Sequence, residues 1–272
     1  MKDLILTTTF RRPEMLWLCL ENISACPEYA ECDHQIWVDS HQNEQPHPDL
    51  QQVLKHFSPL GFSVYQADQT SSDAMNSLTL TILVNAYRSD YRDVILVEED
   101  IMVARDFLRY TRAVLDNFDC WCSVGSGHIG TDIERIDFSN HFSPWGVGWK
   151  REDLRYFVEH AKPEYYQDIY GYVAKTFPGT GPNDAAWDGL ANRLVKVNNF
   201  KVAFPHVPRC FHAGIYGQYR TRTSRLQDGP LAQKVNELRE RFQDPAWMTL
   251  EYADCAPCDL GDKPWERLRY GS

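Results

Sequence analysis

The segment Asp93-Val94-Ile95-Leu96-Val97-Glu98-Glu99-Asp100 joins an apolar run directly to three consecutive carboxylates. A continuous apolar run rich in β-branched residues is typical of a buried strand in a parallel sheet. Open α/β sheets bind their ligands at the carboxyl ends of such strands. Three adjacent anions repel one another, so the cluster indicates a divalent cation, Mg²⁺ or Mn²⁺, shared with a phosphorylated substrate. A solvated acidic loop is the alternative interpretation.

The sequence before and after this strand alternates short apolar runs with helical patterns, which favours βαβ units. Strands are predicted at 4–9, 35–39, 62–66, 120–124 and 201–204, and helices at 13–23, 49–57, 75–86, 106–115, from Asn183 or Asp184 to 195, and near 231–242. The predicted fold class is therefore α/β, with a mostly parallel central sheet flanked by helices. At 272 residues the chain is long enough for one large domain with an appended C-terminal segment.

Composition excludes several classes of protein. The net charge of −10 argues against binding to a nucleic-acid backbone, which depends on lysines and arginines. No apolar stretch approaches the length of a transmembrane span, and the opening Leu4-Ile5-Leu6 lacks a signal-peptide pattern, so we expect a cytoplasmic protein. The eight cysteines are scattered, which favours reduced core residues. For Cys255-x-x-Cys258, a structural tail motif or a local disulfide is favoured over a zinc or redox site.

Four segments in order carry a resemblance to a known family. They are Val97-Glu98-Glu99-Asp100-Ile101-Met102-Val103-Ala104-Arg105-Asp106-Phe107, Phe142-Ser143-Pro144-Trp145-Gly146-Val147-Gly148-Trp149, Trp187-Asp188, and Pro208-Arg209-Cys210-Phe211-His212-Ala213-Gly214-Ile215-Tyr216-Gly217. Together they resemble the N-acetylglucosaminyltransferase I family of inverting nucleotide-sugar glycosyltransferases of the GT-A fold, which includes the protein O-mannose N-acetylglucosaminyltransferases. The resemblance covers roughly residues 4 to 217. The chain departs from the family at Glu99, where the family usually has aspartate.

The resemblance implies a GT-A catalytic domain over residues 1–218 and a C-terminal helical extension over 219–272. It implies a metal-dependent enzyme that moves a sugar from a UDP-sugar, with UDP-GlcNAc as the first choice, to an oligosaccharide or glycoconjugate hydroxyl with inversion. The expected cofactor is Mn²⁺ or Mg²⁺. The implied site residues are Asp188 as catalytic base; Arg11, Asp39, Glu98 and Glu99 at the donor; Trp187, Trp145 and Trp149 at the acceptor; and Asp100 and His212 at the metal.

Several of these residues have a second interpretation. Asp184 is the rival base or a helix-terminal acid, and Trp187 fits core packing as well as acceptor stacking. Arg11 fits a solvated helix start, Asp39 an ordinary turn, and His212 a structural histidine; Arg220, Arg222 and Arg225 fit a solvated stretch or a lid over the diphosphate. Two other functions also fit the acids: a nucleotidyltransferase or other metal-dependent phosphoryl-transfer enzyme, and a non-catalytic carbohydrate-binding relic of the fold.

Overall fold

The computed structural model describes residues 1–39, 48–67, 74–127, 130–179, 186–212 and 269–270. Its strands are β1 Asp3–Thr9, β2 Cys32–Val38, β3 Ser63–Gln66, β4 Asp93–Leu96, β5 Ile101–Val103, β6 Cys122–Val124, β7 Arg135–Ser139, β8 Val147–Lys150, β9 Val202–Pro205, β10 Cys210–His212 and β11 Arg269–Tyr270. Its helices are α1 Pro13–Ser24, α2 Leu50–Phe57, α3 Ala74–Tyr87, α4 Phe107–Asn117, α5 Arg155–Val158, α6 Pro163–Gln167, α7 Ile169–Thr176 and α8 Trp187–Asn198.

The main sheet has the strand order β11-β7-β9-β6-β8-β4-β1-β2-β3. The pairs β4-β1, β1-β2 and β2-β3 are parallel, whereas β8 runs antiparallel to both β4 and β6. The acid-bearing strand β4 is thus an inner strand with a parallel neighbour, as its apolar run predicts. The predicted α/β class, with a mostly parallel central sheet flanked by helices, is confirmed.

The start of helix α1 determines the position of the turn that follows β1. Pro13 occupies the first helical turn, where its missing N–H is not needed and its fixed φ suits the helix. Buried side chains cover the helix on two faces, because Met15 and Leu18 belong to one core cluster and Leu16 and Leu20 to another. Only residues 10–12 separate β1 from α1, so this short turn lies at the carboxyl edge of the sheet.

The structure contains elements that the sequence does not predict. These are strands β5, β7, β8, β10 and β11 and helices α5, α6 and α7; the strands are two to five residues long, and so short a run carries little periodicity. Helix α8 begins at Trp187, with Ala186 in the N-cap position and no side-chain cap, so neither Asn183 nor Asp184 is its cap. Asp184 lies outside the described residues, and so does the predicted helical face that it would share with Asp188.

The C-terminal part of the chain is described only at its end, where β11 pairs in parallel with β7 at the edge of the main sheet. The predicted boundary at 218/219, the helix near 231–242, the three arginines at 220, 222 and 225, and the cysteines at 255 and 258 lie outside the described residues. No helix in the described ranges has the length and apolar character to cross a membrane.

One buried acid at the opposite edge of the sheet makes folding stability depend on pH. Asp93 begins β4, its side chain is 3% exposed, and the Arg92 Nε lies 3.0 Å from it. Burial raises the pKa of Asp93 to about 6, a rise that Arg92 opposes and Asp3 reinforces. The folded state therefore holds this proton more tightly than the unfolded chain, and ionisation of Asp93 costs stability as pH rises through 6.

We predict that Asp93→Asn becomes more stable relative to the parent as pH rises. Between pH 4 and pH 7.5 the difference in unfolding free energy should shift toward the variant by about 2 kcal/mol, because asparagine has no charge to desolvate. Urea denaturation at both pH values measures it. The control is Asp119→Asn, since Asp119 is exposed. A difference between variant and parent that does not change with pH would contradict this account of Asp93.

Candidate active site

The carboxyl ends of β2, β1 and β4 meet at one edge of the sheet. Asp39, directly after β2, is buried and donates its backbone N–H to the Thr9 carbonyl at 2.7 Å. On the other side of β1, the Glu99 N–H donates to the Thr8 carbonyl at 3.1 Å. The end of β1 thus lies between Asp39 and the acidic triplet. Arg11, in the turn after β1, is exposed.

Glu99 anchors the turn that follows β1. Its carboxylate accepts a short hydrogen bond from the Thr9 hydroxyl, and the same oxygen accepts the Phe10 N–H at 3.2 Å. The other oxygen accepts Nε of Arg12 at 2.7 Å. The side chain is 5% exposed. These partners hold both carboxylate oxygens of Glu99 in place, and its predicted contact to the donor stays a prediction.

Arg12 contacts the acidic triplet, whereas the sequence predicts the nucleotide-contacting role for its neighbour Arg11; that role of Arg11 stays a prediction. The Arg12 guanidinium bridges two acids: Nε contacts Glu99, and Nη1 lies 2.8 Å from Oδ2 of Asp100. Burial alone would lower the pKa of Arg12, but these two carboxylates raise it. Two consecutive arginines after a strand signal a cationic turn, but only the path of the turn shows which side chain points at the acids.

Asp100 and His212 are brought together by a separate two-stranded sheet. β5 begins directly after Asp100, β10 ends at His212, and the two strands pair antiparallel with His212 opposite Ile101. Nε2 of His212 lies 3.3 Å from Oδ2 of Asp100. Burial would raise the pKa of Asp100, but the charges and hydrogen bonds of Arg12 and His212 hold it below its usual range. Asp100 is therefore a carboxylate at neutral pH.

Glu98 lies near the start of α8, where it interacts with Trp187 and Asp188. Its carboxylate accepts a hydrogen bond from the Trp187 side chain. Burial raises the pKa of Glu98 to about 8, and the nearby charges of Asp100 and Asp188 contribute to the rise. The structure thus brings Glu98, Asp100 and Asp188 into one electrostatic group.

Asp188 lies in the first turn of α8 and is half-buried. Its Oδ1 accepts the N–H of Gly189 at 2.9 Å. A carboxylate in the first turn of a helix is stabilised by the helix dipole, which favours its charged form. Asp188 is therefore held in place beside Glu98 by the backbone of its own helix.

The three tryptophans predicted at the acceptor lie in different surroundings. Trp149 is fully buried and packs against Phe142 and Phe157 in the core. Trp187 is 5% exposed and its side chain donates a hydrogen bond to Glu98; the acceptor roles of Trp149 and Trp187 stay predictions. Trp145 is 36% exposed, and its ring centroid lies 5.1 Å from that of His212. Of the three, Trp145 is the ring that an incoming ligand can reach.

A buried ion pair fixes the start of β10 and therefore the position of His212. Arg209 is fully buried, and its Nε lies 3.2 Å from Oδ2 of Asp106. Its guanidinium also donates to the carbonyls of Val207 and, at 3.0 Å, Ile133. Asp106, which lies in the segment after the acidic triplet, thus has a structural role. The sequence predicts no function for Asp106 or Arg209.

The donor atoms of Asp100 and His212 fit a shared divalent cation. Two neighbouring ligands of an octahedral ion, with bonds of about 2.1 Å, stand about 3 Å apart, close to the 3.3 Å between Oδ2 and Nε2. Within the described ranges no group of three or more His, Cys, Asp or Glu side chains could hold a metal. The pair therefore suits an ion such as Mg²⁺ or Mn²⁺, which takes its remaining ligands from substrate phosphates and water.

Comparisons with known proteins give similarity at the level of structure. No family model matches the chain, and no curated protein matches it. Among solved structures, "Mannosyltransferase PcManGT from Pyrobaculum calidifontis in complex with GDP-Man and Mn2+" is similar at 10% identity and a TM-score of 0.47, over 76% of this chain and 57% of that one. TarS 1-349 of S. aureus is similar at 14% identity and a TM-score of 0.49, over 75% and 58%.

The glycosyltransferase GlyE of Streptococcus pneumoniae TIGR4, in its apo form, is similar at 10% identity and a TM-score of 0.47, over 89% of this chain and 64% of that one. The chain thus spans less than two thirds of the length of each of these structures.

The buried pair at β10 yields a stability prediction. Arg209→Met leaves the Asp106 carboxylate, 2% exposed, without its cation, and should cost about 3–5 kcal/mol of unfolding free energy. Adding Asp106→Asn to that variant should recover part of the loss. The matched control is Arg135→Met, because the Arg135 pair with Asp137 is 35% and 21% exposed and should be worth about 1 kcal/mol or less. Urea denaturation measures the unfolding free energies of the parent and the three variants. Equal losses in Arg209→Met and Arg135→Met would contradict the structural role of Arg209.

Proposed function

We propose that the chain is a metal-dependent, inverting nucleotide-sugar glycosyltransferase of the GT-A type. The observation that carries the proposal is the position of Asp100 at the carboxyl edge of a parallel sheet, where its Oδ2 lies 3.3 Å from Nε2 of His212 and 2.8 Å from Nη1 of Arg12. Asp100 and His212 offer ligands for a cation, and Asp188 is a half-buried carboxylate at a helix start. Glycosyl transfer needs both: stabilisation of a leaving diphosphate and a base for the acceptor hydroxyl.

The donor is proposed to be a UDP-sugar, with UDP-GlcNAc as the first choice. Asp39, at the end of β2, is proposed to meet the base, and Arg12, with Arg11 beside it in the turn, is proposed to supply positive charge for the phosphates. Glu98 is partly exposed, and we assign it to the donor sugar. A divalent cation held by Asp100 and His212 would neutralise charge that develops on the leaving diphosphate.

Asp188 is proposed to take the proton from the acceptor hydroxyl as that oxygen attacks the anomeric carbon. The Gly189 N–H holds Oδ1 of Asp188, so the carboxylate keeps its direction during the transfer. Attack from the face opposite the diphosphate inverts the anomeric centre, so an α-linked donor gives a β-linked product. The acceptor is proposed to be a glycan hydroxyl, and Trp145 is the exposed ring on which its sugar would stack.

The role of Asp100 predicts the behaviour of Asp100→Asn. This variant should lose transfer by at least about a hundredfold and should no longer bind UDP more tightly when Mn²⁺ is added, because a neutral amide is a poor ligand for a hard cation. Transfer from UDP-GlcNAc, with GDP-mannose as the comparison donor, and calorimetric UDP binding measure the two effects. The exposed Asp116→Asn serves as control. Metal-stimulated activity in Asp100→Asn at the parent level would remove the metal site.

The role of Asp188 predicts loss of turnover without loss of donor binding. The kcat of Asp188→Asn should be lower than that of the parent by about two to four orders of magnitude, the usual contribution of a general base. The variant should bind UDP with Mn²⁺ as the parent does. Its matched control is Asp168→Asn, because Asp168 also binds the start of a helix, through the Gly171 N–H at 2.9 Å, but is exposed. Near-parental rates in Asp188→Asn, or an α-linked product by NMR, would overturn the assignment; donor binding without any turnover in the parent would favour the non-catalytic relic.

A further inference from the structure

We propose that Arg12 makes metal binding conditional on the donor diphosphate: without nucleotide its guanidinium opposes a dication at Asp100, and with nucleotide it shares the diphosphate with the metal. The inference deepens the proposed function and rests on it. Its starting observation is that one carboxylate oxygen, Oδ2 of Asp100, lies 2.8 Å from Nη1 of Arg12 and 3.3 Å from Nε2 of His212.

The side chain of Arg12 is held at this position. Its side chain is 15% exposed, and its Nε is bound to Glu99 at 2.7 Å. Glu99 is in turn fixed by the Thr9 hydroxyl and the Phe10 N–H. The guanidinium is therefore tied to the end of β1 from one side and directed at Asp100 from the other.

A fixed guanidinium next to Asp100 changes the affinity of that carboxylate for a second cation. Two positive groups sharing one oxygen repel each other, and this repulsion is strong where burial reduces solvent screening. Mn²⁺ alone must therefore bind against the charge of Arg12. The acidic triplet, which on sequence grounds needs a metal to hold it together, already has a counter-cation in the protein itself.

A bound diphosphate offsets this repulsion between Arg12 and a metal ion at Asp100. Its oxygens accept hydrogen bonds from guanidinium groups and also ligate divalent ions, so they attract both cations into one site. Metal and nucleotide then tighten each other's binding by the same factor, as linkage requires. The consequence is an active site that takes up metal together with its donor and binds little metal when the donor is absent.

The test is calorimetric titration of MnCl₂ into the protein without nucleotide, with UDP and with GDP. For the parent we expect weak binding of Mn²⁺ alone and at least about tenfold tighter binding in the presence of the preferred nucleoside diphosphate. Arg12→Gln should bind Mn²⁺ alone about tenfold more tightly than the parent, should bind UDP more weakly, and should show a smaller coupling factor. Arg12→Lys, which keeps the charge, should stay near the parent for Mn²⁺ alone.

The control for net charge is Arg155→Gln, since Arg155 is exposed and contacts the ring of Tyr156; it should match the parent in every titration. If Arg12→Gln does not fold, as judged by its thermal transition, Arg12→Met keeps the aliphatic stem without the charge and takes its place. Unchanged or weaker binding of Mn²⁺ alone in the neutral variant, while the parent still couples metal to nucleotide, would overturn the inference and leave the proposed function standing. A parent that binds neither UDP nor GDP with Mn²⁺ would overturn both.

Discussion

One guanidinium shared by two buried carboxylates fixes the arrangement of the active edge. Glu99 and Asp100 are neighbours in sequence and both are buried, so without a cation their mutual repulsion and desolvation would drive a proton onto one of them. Arg12 relieves this by contacting both. The same contact defines the turn between β1 and α1, because Glu99 also holds Thr9 and Phe10. The electrostatic requirement of the acids and the path of the chain are therefore satisfied by one set of bonds.

The second constraint acts from the far end of the described chain. His212 reaches Asp100 only because β10 pairs with β5, and β10 is placed by the buried Asp106–Arg209 pair at its start. The Arg209 carbonyl accepts the Ala104 N–H at 2.8 Å, so the same residue joins the two strands through its backbone and anchors α4 through its side chain. A buried ion pair adds little net stability compared with apolar packing but tolerates few alternative arrangements. Here it sets the position of a candidate metal ligand.

The sequence predicts those parts of the structure that follow from a period or a strand end. The βαβ alternation gave the parallel strands through β4, and the rule for carboxyl ends gave the location of Asp39 and Asp100. The sequence predicts one shared role at the donor for Glu98 and Glu99, but the two residues follow the end of β4 in a turn and have different partners, and no local pattern distinguishes them. The choice between Arg11 and Arg12, and the burial of Trp149, depend on the turn after β1 and on the pairing of β8 with β4 and β6, which no local pattern encodes.

The environments separate four carboxylates into different chemical states. Glu99 is bound on both oxygens, Asp100 is kept ionised by Arg12 and His212, the pKa of Glu98 is raised to about 8 chiefly by burial, and Asp188 is stabilised by a helix start. Arg12 supplies one permanent positive charge against this group. A diphosphate adds further negative charge to the same edge, so its binding needs additional positive charge to be favourable. The excess of acid is thus the physical reason that the donor diphosphate needs a divalent cation in order to bind, while the guanidinium of Arg12 weakens the binding of that cation when the diphosphate is absent.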